Sequence, residues 1–273
     1  MKEHDVVVVG AGPAGMAAAC AAAEEGAAVA LIEALGGIGG NAVRSTGYLA
    51  FVDVDYQREQ GIEDSLEIFQ RDAANQFALH RDKSGMIWDE DLTKLFARES
   101  AETYRRLVDL GVEFSRLIPR PQQNSVDRLL AVPDPAQLGV VHEKRLAELG
   151  VEVLLNTSVE RLIVTDGRAV GVRTAGVDGG SDISARRGVV LACGGYQGNR
   201  ELRRRYQPTR DIVDHVVGVP TCKGSGHVLG VSVGGDLINM GYIQPMILVA
   251  SLLLEEAIAV NVHGNRFHDE AGP

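Results

Sequence analysis

Gly10, Gly12 and Gly15 stand in Gly-x-Gly-x-x-Gly spacing inside the stretch GAGPAG. Each position has separate work in chemistry that handles a pyrophosphate. The first glycine allows a tight turn, the second lets bare backbone approach the phosphates, and the third lets a helix pack closely on a strand. Pro13 and Ala14 complete the turn, and a helix beginning there offers free N–H groups and the positive end of its dipole to an anion. Glu33 closes the next apolar run. A carboxylate at that place accepts hydrogen bonds from ribose hydroxyls and repels a 2′-phosphate. The hexapeptide alone is also compatible with an empty glycine-rich turn. Strand, helix and acidic residue in order make a dinucleotide the better reading.

That fingerprint leaves NAD and FAD open. A second glycine cluster follows at residues 36–48, GGIGGNAVRSTGY. Gly39, Gly40 and Gly47 allow backbone to lie against an extended ligand, and Asn41, Ser45 and Thr46 supply hydrogen-bonding groups. A simple NAD domain has little need of this second loop. A third cluster, VVLACGGY at 189–196, ends an apolar run in Gly194 and Gly195. Such an ending brings bare backbone to the carboxyl edge of a sheet, where open α/β sheets bind ligands. Cys193 lies in this motif, but no histidine near it in sequence would activate a thiolate, so a small apolar role is expected.

These clusters need elements to hold them. HDVVVV reads as a buried parallel strand, PAGMAAACAAAEEG as a helix with Pro13 in its first turn, and AAVALIE as a second buried strand. Joined by a right-handed crossover, the two strands are parallel. Helices are predicted over 62–80, 87–110 and 137–149, an exposed basic helix over 199–206, and a further helix in GSGHVLGVSVGG. VEVLLN, VERLIVTD, AVGVRTA and SDISAR read as an antiparallel meander turning at Asp166-Gly167, before GVVLACGG returns to a buried strand. RLIPRPQQNSVDRLLAVPDP carries four prolines and reads as an irregular excursion. The expected fold class is α/β: a Rossmann-like domain with a parallel central sheet, a small antiparallel β-meander and a helical insertion.

Composition narrows the partners. A hydrophobic share of 45% in 273 residues supports a substantial core. The net charge of −10, with basic residues scattered, argues against a nucleic-acid partner, which needs a concentrated basic face. Arg203 to Arg205 read as a solvated helix face. Three cysteines, Cys20, Cys193 and Cys222, are far apart and show no metal spacing, which fits a reducing, cytoplasmic setting without structural disulfides. Glycines and a proline interrupt the apolar N-terminal stretch, unlike a signal peptide, and the apolar run Met246 to Leu254 is too short for a transmembrane helix. His263 and His268, with Asp269 and Glu270 beside the second, do not share a helix face across their Gly-Asn turn. They read as polar residues of a hairpin, and no metal is expected.

Together the motifs resemble the FAD-dependent oxidoreductases of the fumarate reductase/succinate dehydrogenase flavoprotein family, including members of ketosteroid dehydrogenase and tricarballylate dehydrogenase type. The resemblance runs through VVVVGAGPAGMAAA, Glu33, GGNAVRSTG, NTSVERLIVTDGRAVGV, LACGGYQGN, GSGHVLGVSVGGDL and AVNVHGNRFHDE. It implies that Gly10, Gly12, Pro13, Ala14, Gly15, Glu33, Gly39, Gly40, Asn41, Ala42, Thr46 and Gly47 hold FAD. It further implies that Val159 touches the adenine side through its backbone and that Ala192, Cys193, Gly194 and Gly195 line the adenosine end. Ser225 stands where the family commonly has an acidic residue. Members with covalent flavin carry a histidine in the loop; residues 41–48 contain none, which implies non-covalent FAD.

The substrate side departs from the fumarate reductase pattern. Arg128 fits a basic position, but Leu129 to Val132 supply no imidazole; Pro245-Met246 replaces a His-Pro-Thr signature, and Glu255 and Glu256 lack a following arginine. The implied reaction moves hydride between flavin N5 and a C–C single or double bond adjacent to an electron-withdrawing group, in an organic acid or a ketosteroid-like enone. The substrate is then a small molecule, and the electron partner is not indicated. A non-catalytic FAD-binding module and an NAD-linked dehydrogenase are the alternatives. The expected organisation is an FAD-binding domain over 1–243, lacking its C-terminal segment, and the start of a capping domain over 244–273. The resemblance places the catalytic proton donor beyond Pro273 and makes that residue a cut edge.

Overall fold

The computed structural model describes residues 2–120, 123–175, 180–208, 218–242, 258 and 260–266. In chain order the elements are β1 (Lys2–Val9), α1 (Pro13–Glu24), β2 (Val29–Ile32), β3 (Tyr48–Ala50), α2 (Asp55–Glu59), α3 (Leu66–Ser84), α4 (Glu90–Asp109), β4 (Arg116–Ile118), β5 (Leu129–Ala131), α5 (Gln137–Glu148), β6 (Glu152–Leu154), β7 (Ser158–Thr165), β8 (Arg168–Ala175), β9 (Asp182–Leu191), α6 (Arg200–Tyr206) and α7 (Ser225–Ser232). They fall into two compact units. One holds Met1–Ala50, Glu102–Arg116 and Leu130–Met240; the other holds Phe51–Ala101, Leu117–Leu129 and the described part of Gly241–Pro273.

The first unit is built on a six-stranded sheet in the order β6-β2-β1-β9-β8-β7. β6, β2, β1 and β9 are mutually parallel, and β8 and β7 continue the sheet antiparallel. Alternation along the strands divides the core. Val7, Val9, Ala30 and Ile32 face one side with Leu162, Val172, Ile183 and Leu229; Val8, Val29 and Leu31 face the other with Met16, Ala19, Cys20 and Leu146. Both faces of Val6–Val9 in β1 and of β2 are therefore covered, which is why these stretches are apolar without interruption.

The α/β class is borne out, and the meander is smaller than expected. VEVL does not belong to it. Val153 packs on one face of the sheet and Leu154 on the other, so β6 takes a buried parallel place beside β2. DISAR and GVVL, joined through Arg187, form one ten-residue strand, β9. They join through a bulge: β9 has one more residue than β1 between the pairs His4–Ala185 and Val6–Gly188. Arg168 Nη2 donates to the Arg186 and Arg187 carbonyls there, at 3.1 and 2.8 Å. The proline-rich excursion contains the short strands β4 and β5, and with β3 they carry the chain across the boundary between the units.

The second unit contains α2, α3, the first part of α4 and a buried charge cluster. Arg128, 2% exposed, donates Nε and Nη2 to the two oxygens of Asp64, both at 2.7 Å, and Nη1 to Asp72 Oδ2 at 2.6 Å. Its guanidinium carbon lies 5.3 Å from the centre of the Phe69 ring. Gln57, wholly buried, donates to Asp64 Oδ2 at 3.3 Å and to the Asp127 carbonyl at 2.9 Å. Arg128 therefore does not present its guanidinium to a substrate as its place in the sequence suggested; two carboxylates engage it. In the same unit Val260 and Arg266 form an antiparallel bridge around Gly264, and the Asn261 N–H donates to the Asn265 carbonyl at 2.9 Å, so His263 sits on a hairpin. His268, Asp269, Glu270, Pro245, Met246, Glu255 and Glu256 lie outside the described residues.

Candidate functional site

The carboxyl ends of β1, β2 and β9 converge on one cavity of about 610 Å³. Its wall includes Val9, Gly10, Gly12, Pro13 and Ala14 from the first turn, Ile32 to Ala34 from the end of β2, and Leu191 to Gly194 from the end of β9. Gly40 and Asn41 add the second glycine loop, and Thr157, Ser158 and Val159 the start of β7. Val219, Thr221, Cys222, Lys223, Ser225 and Leu229 close the remaining side.

Gly10 and Gly15 occupy the turn and the close-packing position that the spacing predicts. Gly10 has φ +100°, a turn open to glycine, and a Cβ on it would stand 2.4 Å from the Ala192 carbonyl oxygen. A Cβ on Gly15 would lie 1.8 Å from the Gly10 oxygen, so the bare backbone lets α1 seat on β1. A Cβ on Gly12 would meet no protein atom within 4 Å. Gly12 lines the cavity, and the space over it is open. The first bond of the α1 ladder runs from the Met16 N–H to the Gly12 carbonyl. The Ala14 and Gly15 N–H groups therefore precede the ladder, with the helix dipole behind them, and Ala14 lines the cavity.

Glu33 is 7% exposed, and the protein fixes its carboxylate. Oε2 accepts the Ala11 N–H at 2.8 Å and Oε1 the Leu35 N–H at 2.9 Å. Each oxygen keeps a further acceptor site, and the residue lines the cavity, so it is aimed and still able to accept from hydroxyls. Cys193 Sγ packs 3.5 Å from the Val9 carbonyl, and burial pushes its thiol pKa up. A raised pKa suits a packing thiol and disfavours a nucleophile. All three cysteines are free.

The structure brings Gly10, Gly12, Pro13, Ala14, Glu33, Gly40, Asn41, Val159, Ala192, Cys193 and Gly194 together on this wall. Gly15, Gly39, Ala42, Thr46, Gly47 and Gly195 are not on it. Gly39 donates its N–H to the Ala11 carbonyl at 2.8 Å and so ties the two glycine loops together. Ala42 packs against the buried trio Val112, Val132 and Leu138. Gly47 is a glycine for packing: its φ is +76°, and a Cβ would stand 2.4 Å from the Val132 oxygen. At Gly195 a Cβ would meet Gln197 Oε1 at 2.4 Å. Thr157, Ser158, Val219, Thr221, Cys222, Lys223 and Leu229 line the cavity without having been singled out. For Thr157 and Ser158 the signal was their place beside Val159. VPTCK, residues 219–223, carries no motif or period that would have marked it. Among the described residues no cluster of His, Cys, Asp and Glu is arranged for a metal ion.

Parallel strands, a glycine turn opening a helix, and an acidic residue at the end of the second strand define a dinucleotide-binding α/β protein. Residues 5–271 match the family model described as "FAD binding domain", and the chain belongs to that family. It is 32% identical to the urocanate reductase of Eggerthella lenta, over 97% of this chain and 46% of that protein. Among solved structures it is similar to the open conformation of a flavocytochrome c3 fumarate reductase, with TM-score 0.78 and 30% identity, over 89% of this chain and 42% of that one. It is also similar to the 3-ketosteroid-delta4-(5alpha)-dehydrogenase from Rhodococcus jostii RHA1, with TM-score 0.77 and 25% identity, over 88% of this chain and 56% of that one. The chain thus spans less than half the length of the reductase and of the flavocytochrome. The resemblance to the fumarate reductase flavoproteins is borne out, and FAD is the cofactor. Among the described residues no helix is long and apolar enough to cross a membrane.

Proposed function

We propose that this chain is the FAD cradle of an oxidoreductase acting on a C–C single or double bond beside an electron-withdrawing group, in an organic acid or a ketosteroid-like enone. The observation that carries the reading is the open space over Gly12, set between the start of α1 and the fixed carboxylate of Glu33. Bound FAD supplies the two-electron chemistry at such a bond. The chain's own residues bind and orient. Ala14 and Gly15 offer N–H groups to the pyrophosphate, and Glu33 accepts from ribose hydroxyls. Val159, Ala192, Cys193 and Gly194 provide the wall for the adenosine end. Gly40 and Asn41 bring the second glycine loop to the cavity wall for the rest of the cofactor, with Gly39, Ala42, Thr46 and Gly47 shaping that loop behind them.

The absence of histidine from 41–48 favours non-covalent attachment. The relatives named above have polypeptide that this chain does not span, and the group that handles the substrate's proton is assigned to such polypeptide. Residues 1–243 then serve as the cofactor domain and 244–273 as the entry to a cap. The electron partner is left open, and three free thiols suit a reducing, cytoplasmic setting.

Reconstitution tests the reading. The purified chain, mixed with FAD and freed of excess by gel filtration, should retain the flavin absorption band, and acid precipitation should release that flavin to the supernatant. Candidate enoates and enones, with reductant, should not be turned over by the 273 residues alone. A chain that retains no flavin overturns the cofactor assignment, and flavin that stays with the precipitate overturns non-covalent attachment.

Glu33→Gln makes a sharper test. The carboxylate takes two backbone N–H groups on two oxygens; an amide offers one oxygen and turns its NH2 against the other donor. The amide also lacks the charge that a ribose hydroxyl meets, and a hydrogen bond to a charged group is worth about 1.5–3 kcal/mol. FAD affinity should therefore fall at least about tenfold in a fluorescence titration. Unchanged affinity would remove Glu33 from the cofactor site.

A further inference from the structure

Asn41 lines the cavity, yet protein atoms engage both ends of its amide. Oδ1 accepts the Val219 N–H at 2.8 Å, and Nδ2 donates to Cys222 Sγ at 3.4 Å. A peptide N–H can only donate, so the amide orientation is fixed: oxygen toward Val219, nitrogen toward sulfur. The thiol lies 3.6 Å from Gln197 Oε1 and can donate onward. Backbone bonds pin the far end of the same segment. The Gly198 N–H donates to the Cys222 carbonyl at 2.8 Å, Asn199 Nδ2 to the Lys223 carbonyl at 3.0 Å, and the Gly224 N–H to the Gly195 carbonyl at 3.0 Å. Gly218 belongs to the arrangement as well, since a Cβ on it would stand 3.1 Å from Asn41 Oδ1.

Residues 218–224 thus form a strap. One end is fastened to the second glycine loop through a single side chain. The other is fastened to the loop after β9 through three separate bonds. Between the fastenings, Val219, Thr221, Cys222 and Lys223 make up one wall of the cavity. An occupant of the cavity is bounded by this wall, so the weaker fastening governs how readily it opens.

We propose that Asn41 is a positioning residue: it latches the 218–224 strap beside the cavity and sets how fast bound FAD leaves. The proposal rests on the FAD reading for its ligand, but not for the latch. Lys223 is exposed and offers trypsin a site within the strap. Asn41→Ala removes the acceptor of the Val219 N–H, a loss worth about a fivefold shift in the latching equilibrium. Trypsin should then cut the FAD-free chain after Lys223 about fivefold faster than wild type, and FAD release on dilution, followed by fluorescence, should speed up by a similar factor. Asn41→Asp keeps the accepting oxygen and should be cut at the wild-type rate. Val219→Pro removes the donated N–H with Asn41 in place, and should reproduce the faster cut even if Asn41→Ala gives no folded chain.

Wild-type cleavage in either Asn41→Ala or Val219→Pro overturns the latch. So does cleavage after Arg106, inside α4, that rises in step with cleavage after Lys223, because that signals general loosening. A wild-type chain that binds no FAD would sink the cofactor reading while the cleavage rates still judge the latch.

Discussion

Gly12→Ala is expected to abolish FAD binding and leave the fold intact, whereas Gly15→Ala should damage both. The two residues lie three apart in one turn, and the substitution adds the same methyl group. At Gly12 the backbone is extended, with φ −73° and ψ −179°, and alanine adopts it freely. The added Cβ touches no protein atom. Thermal stability should fall by no more than about 1 kcal/mol, because alanine is a poorer helix N-cap than glycine. The methyl does stand where a pyrophosphate must approach, and phosphates held off there lose their bonds from the helix N–H groups, each worth about 1.5–3 kcal/mol to a charged acceptor. At Gly15 the Cβ falls 1.8 Å from the Gly10 oxygen and 3.3 Å from the Ala192 side chain. Helix α1 must lift off the sheet, at an overpacking cost of about 1–3 kcal/mol, and the N–H groups it presents lift with it. Thermal midpoint and flavin retention, measured together, separate the cases. A Gly12→Ala chain that keeps its flavin would mean that the cavity is not where the pyrophosphate lies.

That contrast bears on what the sequence could disclose. The local geometry at Gly10, Gly12, Gly15 and Glu33 was legible because it is set within one βαβ unit, and local spacing encodes it. Gly47 and Gly195 were legible as unusual glycines, but not in their role. Glycine is needed at Gly47 because Val132 comes close, a residue far along the chain. Proximity of that kind leaves no local trace. The strap at 218–224 was missed for the same reason: only the fold sets Val219 and Cys222 against Asn41. Strand β6 was misassigned because three residues are too few for period to separate a parallel from an antiparallel neighbour. What decided it was burial on both faces. Helices α3, α4 and α5, with long or regular patterns, were placed to within a few residues.

Replacing Arg128 should unfold the second unit before it affects any chemistry. The sequence placed this arginine where a substrate carboxylate could be met. In the structure its side chain is 1% exposed and already faces Asp64 and Asp72. Arg128→Met leaves two buried carboxylates without their cation, a change worth about 3–5 kcal/mol when one partner of a buried pair is removed. Arg128→Lys keeps the charge but lacks the fork that meets both Asp64 oxygens, and should fall between. Acid supplies an independent measurement. Burial acts to raise the Asp72 carboxyl, but the Ser125 N–H, Arg128 and the Ser125 hydroxyl outweigh it and hold the pKa below the ordinary 3.8. A carboxyl lowered by folding contributes its full stabilisation above that ordinary value, and loses it as pH falls from there through the folded value. The wild-type unit should therefore weaken as pH drops below about 4, with Asp72→Asn losing that part of the dependence. Denaturant unfolding followed through Trp88, the chain's one tryptophan and a residue of this unit, reads both effects. An Arg128→Met chain of unchanged stability would return Arg128 to the substrate side.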